Sequence, residues 1–138
     1  MLTVQGLTDH PLFQGLSESQ ANALLAQAAE RTYNGGDVIL RQFEKNNDML
    51  IVTSGEVGIR GFSGDMVARL GPGSVVGEIS LIDDEPRSAT VVAIGLTSAV
   101  VLPNAAIRDL MDADAGLKAT IMENLAKILC ARLRASNL

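Results

Sequence analysis

Residues 71–90 read GPGSVVGEISLIDDEPRSAT, and the reading of the whole 138-residue chain turns on them. Gly71-Pro72-Gly73 is a tight turn and Val75-Val76 a short β-type run. Gly77 has no side chain, so a ligand can lie close to its backbone. The stretch Ile79 to Ile82 predicts one helical turn, whose first N–H groups lack partners within the helix and attract an anion. Arg87 offers a planar fork of donors matched to phosphate oxygens. Ser88 and Ala89 are small and leave room, and Ser88 adds a hydroxyl. The carboxylate of Glu78 is an acceptor suited to a sugar hydroxyl.

The charge balance of this stretch narrows the ligand. One arginine with a few main-chain amides neutralises one negative charge, which fits a cyclic phosphodiester. A nucleoside triphosphate carries several and normally needs a metal ion and a lysine. The chain has no Gly-Lys pair, hence no phosphate loop of the G-x-x-x-x-G-K-[ST] type. Taken singly, the same residues also fit blander roles. Arg87 can pair on the surface with Asp83, Asp84 or Glu85, Glu78 can be a solvated acid, and the glycines can be turns.

Short β-type runs surround this stretch: Val38–Leu40, Met49–Thr53, Val57–Arg60, Val67–Leu70, Val75-Val76, Thr90–Ile94 and Ala99–Leu102. Turn signals separate them at Asn46-Asn47, Ser54-Gly55, Ser63-Gly64, Gly71-Pro72-Gly73 and Gly95. Short, evenly spaced strands predict a small barrel or jelly roll. The uncharged run from Ser88 to Ile107 is long enough to span a membrane. Gly95, Thr97, Ser98, Pro103 and Asn104 interrupt it, however, so two buried strands joined by a turn explain it better.

Helices flank the strands. Thr8-Asp9-His10-Pro11 reads as a helix start, and Ser17 with Gln20 as a capping box. Ala21, Leu24, Leu25 and Ala28 follow at helical spacing. At the other end Asn104 is expected to cap a short helix through Met111. A longer helix is expected from about Ala115, with an apolar stripe of Leu117, Ile121, Leu125, Ile128, Leu129 and Leu133. Lys127, Arg132 and Arg134 read as its solvated charges, and Cys130 as a small hydrophobe of the core.

Composition excludes several function classes. Net charge is −5, the opposite of the basic excess that phosphate backbones select. The single cysteine excludes an internal disulfide framework. The N-terminus has no basic segment followed by an apolar one, so no signal peptide is read there, and a reducing cytoplasm is the expected location. Catalytic arrangements are missing as well. His10 is the only histidine, so neither a His-rich metal site nor a nucleophile–His pair is expected. Gly71, Gly73 and Gly77 miss the dinucleotide spacing by one residue. Asp112 to Gly116 imitates the start of a calcium loop but reads as a turn between helices. The expectation is a protein that is not an enzyme and has no cofactor.

GEISL followed by PRSAT resembles the phosphate-binding cassette of the cyclic nucleotide-binding domain family. Gly77, Glu78, Ile79, Ser80, Leu81, Pro86, Arg87, Ser88 and Ala89 match its pattern. Outside the cassette, Pro11-Leu12-Phe13 with Leu16-Ser17, Gly36-Asp37-Val38-Ile39, Ser54-Gly55-Glu56-Val57 and Leu70-Gly71-Pro72-Gly73 resemble other parts of the same frame, in order, over residues 8 to 135. Glu44, Leu50 and Val75-Val76 depart from it at turn and core positions.

The resemblance implies an α+β fold: an eight-stranded β-barrel or jelly roll flanked by N-terminal helices and a C-terminal helix pair. It implies one domain over 1–138, with helices in 8–30, the barrel in 31–102, the cassette at 77–89 and helices again in 104–136. It also implies a regulatory ligand, cAMP or cGMP, bound by Gly77, Glu78, Ile79, Ser80, Arg87, Ser88 and Ala89. Glu78 would take the ribose 2′-hydroxyl, Arg87 the exocyclic phosphate oxygens, and amides near Ile79, Ser80 and Ala89 the rest of the phosphate. Ser88 is compatible with either base. Lys127, Ala131, Arg132 or Arg134 would cover the base, and ligand binding would move the C-terminal helices. The resemblance is to a catabolite-activator-like sensor without its DNA-binding part. Expected partners are the nucleotide and a second copy or an effector at the last helix, with no nucleic acid and no membrane insertion. The competing expectation is a module that keeps the fold but uses it only for docking or dimerisation.

Overall fold

The computed structural model describes residues 5–41, 43, 48–83 and 89–136. Two short 3-10 turns, Gln5–Asp9 and Pro11–Phe13, open the described chain. Helix α1 (Glu18–Leu25) follows, then strands β1 (Ala29–Tyr33), β2 (Val38–Leu40), β3 (Asp48–Arg60), β4 (Met66–Leu70) and β5 (Val75–Val76). Helix α2 (Ile79–Ile82), strand β6 (Thr90–Pro103), helix α3 (Asn104–Ala113) and helix α4 (Ala115–Ala135) complete it. Among the described residues no helix is long and apolar enough to cross a membrane.

The antiparallel sheet is organised by its two long strands. β3 and β6 pair along their full length, from Asp48 opposite Pro103 to Arg60 opposite Thr90. Irregularities at Val52, Ser54 and Glu56 divide this ribbon into two halves. One half carries β1 on β6 and β5 on β3; the other carries β2 on β6 and β4 on β3. Six strands thus supply two four-stranded halves, the eight segments expected of the jelly roll. Ser54-Gly55 and Gly95 do not end strands, as their turn chemistry suggested. They mark the bend of continuous ones, with φ of +79° at Gly55 and +69° at Gly95. A Cβ on Gly55 would lie 2.4 Å from the Leu96 carbonyl oxygen, so only glycine fits there. Buried Thr97 secures the bend, its hydroxyl donating to the Glu56 carbonyl at 2.9 Å.

Continuous apolar runs occur where both faces of the sheet are covered. Met49, Ile51, Val100 and Leu102 face one way, into a core with Leu12, Phe13, Leu24, Ile107, Leu117, Ile121 and Leu125. Their alternate neighbours Leu50, Val52, Ala99 and Val101 face the barrel interior with Leu40, Val57, Val76 and Val91. The period of two along a strand thus feeds two cores from one segment.

At the helices the structure corrects several expectations. The N-terminal stretch is 3-10 up to Phe13, and the helical signal expected to reach residue 30 stops at Leu25, because residues 29–33 pair with β6. The Ser17–Gln20 capping box is present, and the Gln20 amide also donates to Asp114 at 3.1 Å. Asn104 does not cap α3. Pro103 holds that position, with no side-chain bond, and Asn104 turns inward at 1% exposure. Asp114 caps α4 by accepting from the Leu117 N–H at 3.1 Å, so the Asp112–Gly116 segment is a junction between helices. Leu117, Ile121 and Leu125 are buried as expected, but Ile128 and Leu129 are half-buried and Leu133 is exposed. Cys130 is exposed as well, contrary to the core role expected of it, because α4 outruns the body it packs on. The Asn46-Asn47 turn lies outside the described residues.

Candidate nucleotide site

The segment that follows β5 is positioned from three sides. The His10 ring accepts from the Leu12 N–H through Nδ1, which leaves its Nε2–H to donate to the Gly73 carbonyl at 2.7 Å. This ties the N-terminal turn to the Gly71-Pro72-Gly73 turn. Gly77 then adopts φ +82°, a left-handed conformation suited to glycine. From there the chain enters the four-residue α2, inside which Leu81 is buried in the core and Ile79 and Ile82 are about half exposed. Helix α3 grips this turn: Asn104 Nδ2 donates to the Gly77 carbonyl at 3.3 Å, and Arg108 donates to the carbonyls of Ser80 and Leu81 at 3.1 and 3.0 Å.

Beside α2 lies a cavity of about 730 Å³, a size typical of small-molecule sites. Its apolar walls include Leu40 of β2, Ile59 of β3, Leu70 of β4 and Val91 of β6. Gly77, Glu78, Ile79, Ser80 and Ala89 line it together, so five of the seven residues proposed from sequence share one cavity. Arg87 and Ser88 lie outside the described residues.

Glu78 is the chemically telling member. Read singly, it passes for a solvated acid, yet it is 2% exposed. Its carboxylate pairs with the guanidinium of Arg132, which reaches in from the last turns of α4. Arg132, Ala135 and Ser136 line the cavity, which identifies the part of the helix that can cover a ligand. Of the other candidate lid residues, Lys127 instead pairs with Glu123 at 3.3 Å, Ala131 is exposed, and Arg134 is exposed and not part of the lining. Arg132 is thus the one of the four lid candidates that lines the cavity, whereas Arg69 was not singled out by sequence reasoning. Arg69 lines the cavity from β4 and pairs with Glu56 at 2.6 Å.

The family model for the cyclic nucleotide-binding domain matches residues 30–114, which take in nearly all of the barrel, the cavity lining up to Val91 and α3. The chain belongs to the cyclic nucleotide-binding domain family. It is similar to the cyclic AMP receptor protein of Thermus thermophilus, with 33% identity over 93% of this chain and 59% of that protein. It is also similar to the cAMP-dependent protein kinase regulatory subunit of Mycosarcoma maydis, with 31% identity over 66% of this chain and 18% of that protein. The chain therefore spans less than two thirds of the length of both relatives. A solved structure from Geobacter metallireducens GS-15 shares the fold with a TM-score of 0.86, at 23% identity, over 96% of this chain and 99% of that one. The jelly-roll architecture of this cyclic nucleotide-binding domain is thus that of its relatives.

Proposed function

We propose that this domain is a regulatory sensor that binds cAMP or cGMP and couples the bound state to the position of its last helix. The observation that carries the reading is the buried Glu78 in the cavity, held by Arg132 of α4. A sugar hydroxyl that donates to Glu78 shares that carboxylate with Arg132, so occupancy of the cavity bears directly on what holds α4 down. The phosphate is taken by Arg87 and by amides near Ile79, Ser80 and Ala89, as the family cassette implies, and the apolar walls take the base. Arg132, Ala135 and Ser136 are the lid. The output is a population shift of α4, read by a second copy or an effector at its exposed C-terminal face, where Leu133 is 55% exposed. The two relatives named for cAMP support the ligand class.

Calorimetric titration with cAMP and with cGMP tests this. The wild-type chain binds at least one of them. Glu78→Ala and Arg87→Ala each weaken binding about tenfold or more, because a buried charged contact typically contributes about 2–5 kcal/mol. Wild-type affinity in Arg87→Ala would overturn the assignment of the phosphate site. Absence of heat with both nucleotides at sub-millimolar concentration would favour a docking or dimerisation module on the same fold.

A further inference from the structure

Three elements meet behind the cavity, on the side away from the ligand space: the start of α3, the turn at Gly77 and the end of α2. A helix of four residues has little stability of its own, since the first turn is the costly one to form. It also leaves its last carbonyls without intrahelical partners. In this chain α3 supplies the missing partners. Asn104 and Arg108 lie one turn apart on the same face of α3. Asn104 donates to Gly77, at the entrance to α2, and the Arg108 Nη2 donates to both Ser80 and Leu81, within it. The arginine cation also stands at the end of α2 where carbonyl dipoles gather, the sign a helix C-terminus favours.

The state of Asn104 shows that the contact is not simply good packing. Its side chain is buried at 1% exposure, and its Oδ1 has no hydrogen-bond partner among the described residues. Turning the amide over would set that oxygen against the Gly77 carbonyl, so the orientation is forced. An orphaned buried acceptor lowers stability. An apolar side chain of similar size would avoid that loss, and the one thing it could not do is hold Gly77.

We infer that Asn104 and Arg108 are positioning residues: a two-point clasp that fixes α2 to α3, so that the cavity-lining Ile79 and Ser80 are held in one orientation and α2 moves with α3 as a unit. The clasp deepens the sensor reading above, and its effect on affinity rests on that reading. Its effect on α2 does not. Neither residue lines the cavity, so both act through the segment they hold.

The test uses the full chain with Arg108→Met, Arg108→Lys and Asn104→Leu, and two measurements. The first is amide hydrogen exchange without nucleotide. Arg108→Met removes charged hydrogen bonds, so exchange of the Leu81 and Asp83 amides, which bond within α2, rises about tenfold or more while β3 and β6 are unchanged. Arg108→Lys, which keeps a cation and donors, restores part of the protection. The second is calorimetric titration with cAMP and cGMP, beside a thermal melt. Arg108→Met and Asn104→Leu weaken binding about fivefold or more, while Asn104→Leu melts no lower than wild type because its orphaned oxygen is gone. Unchanged α2 exchange in Arg108→Met overturns the clasp, whether or not a nucleotide binds. Faster exchange with unchanged affinity overturns its part in positioning the site. If the wild type binds neither nucleotide, the sensor reading fails, and the exchange measurement still decides the clasp.

Discussion

A carboxylate removed from water needs a counter-charge, and the one that Glu78 finds lies 54 residues further along the chain in Arg132. The pair is asymmetric: the Glu78 side chain is 3% exposed and that of Arg132 is 34%. Loss of the cation therefore falls mainly on the acid, which is left buried without its partner. Arg132→Met should destabilise the chain by about 1–3 kcal/mol, the range for an uncompensated buried polar group. Glu78→Gln in the same background should recover much of that loss, because it removes the charge that was stranded. A double-mutant cycle by denaturant unfolding measures this, and strictly additive effects would show that the two side chains do not interact in solution. The sequence showed one side of this contact and left the other among four candidates. Glu78 stands in a motif whose residue types announce a sugar and a phosphate. Arg132 stands near Lys127 and Arg134 on a helix where charge ordinarily means solvent; the family resemblance named it with Lys127, Ala131 and Arg134 as a residue that could cover the base, and no periodicity singled it out. Cys130 was misjudged for the related reason that an apolar stripe does not say where its support ends.

The helices show how local chemistry and distant contacts divide the work. Capping is local, so Ser17 and Gln20 were legible from spacing, and Gln20 accepts and donates as the motif requires. The further bond from Gln20 to Asp114 spans 94 residues and is visible only in the fold. It joins the start of α1 to the start of α4. That bond, then the Leu117 N–H, holds the carboxyl of Asp114 below the ordinary aspartate range. A group whose pKa is lowered by folding stabilises the folded chain above its unfolded value, close to 3.8, and that stabilisation disappears as pH falls through the folded value. Asp114→Ala should therefore lower the melting temperature near neutral pH, and the difference should shrink as the pH falls below 3.8. Melts of both chains across that range check this; a gap that stays constant down to the lowest pH would remove the ionised cap from the explanation. Asn104 marks the limit of local reading from the other side. Its residue type and place at the start of a helix favour a cap, yet it turns inward, where it donates to the Gly77 carbonyl, a partner that no nearby sequence reveals.

At the scale of the molecule, strand class was legible and strand partnership was not. Turn residues and β-branched runs announced a jelly roll, but the bend that makes two halves from β3 and β6 depends on Gly55, Thr97 and their cross-strand contacts. The helices pack on one core, and α4 is fastened to it through Leu125 and through Asn124, whose amide donates to the carbonyls of Leu12 and Gln14 at 2.8 and 2.9 Å. Beyond Leu125 the helix is mostly exposed, and its end reaches back to the body through Arg132. A nucleotide in the cavity therefore meets a helix that is fixed in its first half and tied near its end by the Arg132–Glu78 ion pair. Two readouts follow from binding. At a nucleotide concentration of about one hundred times Kd, linkage adds about 2.7 kcal/mol of stability, a rise of roughly 8 °C in Tm for a domain of this size. The sole cysteine reports the second, since Cys130 is exposed on the half of α4 proposed to move. A spin label there should lose mobility when cAMP or cGMP closes the lid, and in Arg132→Met it should already be mobile and change less. A higher Tm with an unchanged label spectrum would mean that the domain binds its nucleotide without moving α4, and would remove the helix from the signalling route.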